Sequence, residues 1–129
     1  MKYLMPLLFT LFLSTLVSCE QQEGTKVGDL TNSAKIFVEM MVKENYAGAV
    51  EKFDRTMKDA MPIDKLQEAW QGLLAKAGIF KKQIGLRQTK EQGYDIVYVT
   101  CEFEKEKVDI KVVFNNAKQV SGLWFIPSQ

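Results

Sequence analysis

The side chains able to do chemistry are few, and most crowd into one stretch. YDIVYVTCEF holds Tyr94, Asp95, Tyr98, Cys101 and Glu102; Asp109, Arg87 and Arg55 stand outside it. A tyrosine beside a carboxylate can stabilise an oxyanion, and a carboxylate in apolar surroundings can carry a proton as general acid or base. The spacing works against both uses. Asp95 and Glu102 fall on opposite parities of an alternating segment, so they share a face only across a bulge. Asp109 alternates with the apolar face and points outward. Tyr98, between Ile96 and Thr100, is the polar group best placed for a cavity mouth; the plainer alternative packs it under a helix. Cys101 shares its parity with Val97, Val99 and Phe103 and reads as a small buried residue. The chain has no histidine to activate it as a nucleophile. Without histidine, paired cysteines or an acidic loop of calcium-binding spacing, no metal site is expected. Gly72, Gly78 and Gly85 are isolated, so no phosphate-cradling loop is expected either. The expectation is a protein without cofactor or catalytic residues.

Cys19 invites a different chemistry. Lys2 supplies a positive flank to an apolar run from Tyr3 to Val17. That run falls short of the about 20 residues a spanning helix needs and suits a signal peptide. Its exit, Leu16-Val17-Ser18-Cys19, resembles a bacterial lipobox at all four positions. The resemblance implies a diacylglycerol on the Cys19 sulfur and cleavage before it; an ordinary signal peptide with Cys19 a bystander is the alternative. Two or more acyl chains hold a protein stably on a membrane. The organisation expected is a signal peptide over 1–18, lipidated Cys19 and a flexible tether over 19–30, and one domain over 31–129. The expected location is the cell envelope, on the exported side, periplasmic or at the cell surface. Loss of residues 1–18 removes Lys2 and leaves 16 basic and 16 acidic side chains. A balanced chain has no electrostatic footprint for nucleic acid. With Cys19 acylated, Cys101 has no disulfide partner.

The elements that must position these groups change period halfway along. TNSAKIFVEMMVKENY carries Ile36, Phe37, Met40 and Met41 as an apolar stripe, capped by Thr31, Asn32 or Ser33. AGAVEKFD reads as a shorter helix burying Val50 and Phe53, and RTMKDAMP as a connection. Pro62 opens a third helix with Leu66, Trp70, Leu73, Leu74 and Ala77 at helical spacing. Gly78 closes it, with Ile79 expected to pack back. Four strands follow: IFKKQIGLRQT, YDIVYVTCEF, VDIKVVF and QVSGLWFIP. Short turns between them imply an antiparallel meander. Helices before strands give an α+β class: three N-terminal helices on a curved antiparallel sheet of about four strands.

That order resembles the nuclear transport factor 2-like (cystatin-like, SnoaL-type) cone. Residues 47–54, Leu66 with Trp70, Gly78-Ile79-Phe80, Val99-x-Cys101-x-Phe103 and Gly122-Leu123-x-Phe125-x-Pro127 are similar to a bacterial domain-of-unknown-function family of that fold. Its members occur as small exported proteins and beside α/β-hydrolase domains. The resemblance covers about residues 31–127 and implies the fold, with no catalytic residues to carry over. Cones of this type can host isomerases and hydrolases. Each motif position also has a plain reading. Trp70 and Trp124 suit core or pocket wall, Gly122 a bulge or close backbone approach, and Asp54 the end or the cap of a helix rather than a base. Both faces of the central strands are apolar or aromatic, with Tyr94, Ile96, Tyr98, Leu123 and Phe125 exceeding the needs of one thin core. Tyr98, Trp70, Trp124, Tyr94 and Phe125 are therefore the candidate pocket or interface residues. The function expected is a membrane-anchored, non-catalytic ligand- or protein-binding or dimerising module. A second subunit, an envelope protein or a small apolar ligand would be its partner. The alternative is a small cone enzyme, isomerase or hydrolase, acting on an apolar molecule.

Overall fold

Strand alternation sets the architecture. In the computed structural model, which describes residues 21–128 with side chains from Leu30 onward, four helices precede four strands. They are α1 (Gln21–Val42), α2 (Tyr46–Glu51), α3 (Arg55–Ala60), α4 (Ile63–Ala77), β1 (Phe80–Glu91), β2 (Tyr94–Phe103), β3 (Lys107–Phe114) and β4 (Val120–Pro127). The segment expected to be a signal peptide, and Cys19, lie outside the described residues. The strands form one antiparallel sheet in the order β1-β2-β3-β4, the expected meander in an α+β fold.

The turns explain the meander. Gln92 and Gly93 join β1 to β2, both with positive φ (53° and 85°), the two-residue hairpin whose twist matches its strands. Asn115 organises the β3–β4 turn, its Oδ1 accepting from the backbone N–H groups of Ala117 (2.9 Å) and Gln119 (3.0 Å). The helical half is stitched to β4 by backbone bonds: Val120 donates to Lys52 (2.8 Å), and Asp54 donates to Val120 (2.9 Å). At the end of α4, Gly78 turns with φ 88°, and the N–H of Lys105 reaches the Ala77 carbonyl at 2.8 Å. A side chain at Gly78 would also meet Glu104 Cβ at 2.5 Å. The β2–β3 turn therefore docks on that helix end, and Ile79, expected to pack back there, is 64% exposed.

The core lies between one face of the sheet and the helices. Val97, Val99, Cys101 and Phe103 of β2, with Val108, Ile110, Val112 and Phe114 of β3, are all buried, as alternation requires. Against them pack Leu66, Trp70, Leu73 and Ala77 from α4, the helix with the clearest apolar face. The Trp70 ring meets Phe103 at 5.9 Å and Phe125 edge-on at 6.1 Å. The buried residues are all apolar by type.

Three helical expectations change. The buried arc of α1 is Leu30, Ala34, Phe37, Val38 and Met41, leaving Ile36 42% exposed; small Ala34 and Val38 face the sheet, which rotates the stripe by one position. The helix also begins at Gln21, within the segment read as a tether, despite Gly24 and Gly28. RTMKDA is a helix rather than a connection, which makes four helices instead of three. It buries no side chain and owes its start to Asp54, whose Oδ1 accepts from the Met57 N–H at 2.8 Å. Of the two expected roles, ending a helix or capping one, Asp54 takes the second.

Candidate functional site

The outer face of the sheet carries what the core does not use. Register aligns Arg87 with Tyr98, Tyr98 with Lys111, and Lys111 with Trp124, so one row crosses all four strands. Cation and aromatic alternate along it. The Arg87 guanidinium lies 3.9 Å from the Tyr98 ring centre, and the Lys111 ammonium stands 5.9 Å from Tyr98 and 5.1 Å from Trp124. Each such contact is worth about 0.5–1 kcal/mol at an exposed site. Asp109, one row along, accepts from the Thr100 hydroxyl at 2.6 Å and pairs with Arg87 at 3.7 Å. The acid and the base are spent on each other and on fixing the row.

Gly122 makes the row lie flat. A side chain there would meet the Trp124 ring at 2.6 and 2.9 Å and Val113 Cβ at 3.3 Å. The indole therefore rests across its own strand, over the glycine. Beside it opens a groove of about 430 Å³, lined by Tyr94, Ile96, Val113 and Trp124. Asp54 and Glu91, at the two edges of the sheet, and Lys111 also line it. Trp124 is 53% and Tyr94 45% exposed.

The five residues grouped as pocket or interface candidates therefore separate. Tyr94, Tyr98 and Trp124 share the outer face, while Trp70 is buried in the core and half-buried Phe125 packs against it. Tyr98, expected at a cavity mouth, faces away from the interior and is held by Arg87 and Lys111 instead. Cys101 is buried and donates weakly to the Val99 carbonyl at 3.7 Å. Burial, and secondarily Asp109, pushes its thiol up to about 12, so the reactive thiolate is disfavoured. Among the described residues no group of three or more metal-ligating side chains gathers, and no helix is long and apolar enough to cross a membrane. The part the sequence reading missed is Lys111 as the link between the two exposed aromatics. Its outward parity was readable, but its alignment with Trp124 depends on a register that parity alone does not give.

A sheet layered on helices, bearing an aromatic and cationic outer face, defines a small α+β domain. Residues 34–123 match the family described as protein of unknown function DUF3887, and the chain belongs to that family. It is also similar to Esterase EstD of Thermotoga maritima, 24% identical over 98 residues that cover 76% of this chain and 24% of the esterase. The chain thus spans about a quarter of that relative's length. No solved structure matches it.

Proposed function

We propose that the domain is a non-catalytic interaction module of an exported lipoprotein, held at a membrane through acyl chains on Cys19. Its partner is a second copy of itself, docked through the outer sheet face. The carrying observation is the groove between Tyr94 and Trp124, acidic at Asp54 and Glu91 and cationic at Lys111. A patch carrying both signs of charge around exposed aromatics can be self-complementary across a two-fold axis, Lys111 of one subunit meeting an acid of the other. Aromatic residues and arginine, both present in the row, are favoured at interface cores.

Two observations support a binding role over catalysis. The buried residues are all apolar, with Trp70, Phe37, Phe53 and Phe114 filling the interior where a cone enzyme would keep an acid. The relative named an esterase shares only a quarter of its length with this chain, which supports reading the common part as an accessory to the rest. Helices followed by a four-stranded antiparallel meander support the nuclear transport factor 2-like cone as the fold type.

Native mass spectrometry of the full chain in detergent tests the pairing. The expected result is a dimer that becomes a monomer in Trp124→Glu, with circular dichroism unchanged. A parent chain that stays monomeric at about 10 μM, a concentration that saturates a micromolar dimer, overturns the pairing. Membrane fractionation tests the anchor. Cys19→Ala is expected to leave the membrane fraction, and its retention there would refute lipidation as the means of attachment.

A further inference from the structure

Little holds α3 in place. RTMKDA is six residues long, well short of the ~12–15 residues at which an isolated helix becomes even marginal in water. It buries no side chain, and Arg55, Thr56, Lys58, Asp59 and Ala60 are exposed. Its start is fixed by the Asp54 cap, whose own N–H donates to the Val120 carbonyl at 2.9 Å.

The rest hangs on two thioethers. Met57 and Met61 stand one turn apart, the Met61 N–H donating to the Met57 carbonyl at 2.7 Å. Both are half-buried and pack against the core where α3 lies along β4. A thioether is an apolar group that a mild oxidant turns polar and chiral. Met41 in the core is 0% exposed, whereas Met57 and Met61 keep part of their surface in solvent.

We propose that Met57 and Met61 form a reversible oxidation site, with hydrogen peroxide as the oxidant, that releases α3 from β4. The thioether sulfur attacks one oxygen of the peroxide. The O–O bond breaks, the S–O bond forms, and the other oxygen leaves as hydroxide, which takes the proton of the attacked oxygen and becomes water. Sulfur is oxidised by two electrons and the peroxide is reduced by two. Each sulfoxide brings a polar acceptor into a seat among apolar neighbours, and burial without a donor disfavours the docked helix. With no buried side chain to keep it there, α3 leaves while the sheet stays folded. Asp54 and Thr56 line the groove beside Trp124, so the release also takes apart one wall of the pairing surface. That last consequence rests on the dimer reading; the release of α3 does not.

The test is hydrogen–deuterium exchange with mass spectrometry on the full chain in detergent, before and after graded hydrogen peroxide. Peptide masses are expected to show Met57 and Met61 oxidised at least about tenfold faster than Met41. The amides of Met57, Lys58 and Met61 donate in the native chain at 2.8, 2.9 and 2.7 Å. Once both sulfurs are oxidised they are expected to exchange at least about tenfold faster, with β2 and β3 unchanged. Methionine sulfoxide reductases A and B, one for each epimer, are expected to restore the protection. The double variant Met57→Leu, Met61→Leu keeps the apolar contacts and is expected to hold its protection through the same treatment. Met40 is present in both chains, so its oxidation does not separate them. Should the variant not fold, reversal by the reductases carries the test. Full oxidation of both residues with α3 still protected overturns the proposal. So does an equal loss in the leucine variant, a loss the reductases do not reverse, or oxidation of the pair only at the pace of Met41. Native mass spectrometry of the same samples reads the link to pairing. A dimer is expected to become a monomer, and a dimer that survives release of α3 overturns that link. A chain that is a monomer before oxidation overturns the pairing itself, while the exchange data still decide the oxidation site.

Discussion

Substituting Gly122 by alanine tests whether the outer row is held as the distances say. The added methyl would stand 2.6 Å from Trp124 Cζ3, 2.9 Å from Cη2 and 3.3 Å from Val113 Cβ. Carbon pairs rest at about 3.5–4.0 Å, so the edge of the indole must lift by about 1 Å and the Val113 side must give by less. The ring is free to lift because its outer side faces solvent. Lifting weakens its contact with the Lys111 ammonium, worth about 0.5–1 kcal/mol, and its seat on the strand. Against this stands the gain of about 0.4–1 kcal/mol that Gly→Ala brings by restricting the unfolded chain. The net expectation is a loss of about 1 kcal/mol, at the mild end of overpacking. In a Trp124→Ala background only the milder contact with Val113 Cβ at 3.3 Å remains, and the same substitution should stabilise by up to about 1 kcal/mol. Urea unfolding at one fixed protein concentration, followed by circular dichroism, gives all four corners of the cycle. The coupling expected between the two positions is about 1–2 kcal/mol. Additivity to within about 0.5 kcal/mol would mean the indole does not rest on Gly122, and the flat row would be wrong.

Asp54→Ala removes the acceptor for the Met57 N–H and the contact of Asp54 Oδ2 with Asn115 Nδ2 at 3.4 Å. It should cost about 0.5–2 kcal/mol in denaturant unfolding, with Asp54→Asn falling between because it keeps the cap but not the second contact. Equal stability of all three would refute the cap. Cys101 titrates from an ordinary value near 9 to about 12 in the fold, so folding favours the neutral thiol. Its contribution to stability is complete below about pH 9 and is lost as pH rises towards 12. Unfolding measured across that window should show a fall that Cys101→Ala lacks, and identical pH profiles would contradict the burial argument. Trp70→Ala should cost about 3–5 kcal/mol, since its ring contacts both Phe103 and Phe125, and a loss below about 1 kcal/mol would mean the interior is not packed around it.

Period-two alternation wrote the inner faces of β2 and β3 into the sequence, and every residue it assigned inward there is buried. The α4 helix was equally readable, because Pro62, the spacing of Leu66, Trp70 and Leu73, and Gly78 all agree. The α3 helix was not, because RTMKDA buries nothing and so carries no periodicity. Its one signal is Asp54, which was read as the end or the cap of a helix without the helix that the cap serves. The site was half readable for a related reason. Tyr94 and Tyr98 share a parity, so their common face follows from sequence, but Arg87 and Lys111 join them only through a register fixed by the hairpins.

Trp124 and Phe125 carry this furthest. Being consecutive in one strand, they must face opposite ways, yet composition gives no reason to send the tryptophan out. The structure decides it at Ser121. Val120 pairs with Phe114 and faces inward, while Gly122 pairs with Val113 and faces outward. Between those pairs β4 spends two steps where β3 spends one, so Ser121 is the extra residue of a bulge, its hydroxyl 3.5 Å from the Val113 carbonyl oxygen. Without it, the inward parity of Val120 would carry on to residues 122 and 124 and turn the indole into the core. Phe125 would then face solvent, and Trp70 would lose its edge-on partner. One inserted residue thus supplies the core with its phenylalanine and the outer row with its tryptophan. The same residue puts Gly122 on the outer face, beneath the ring that needs its missing side chain.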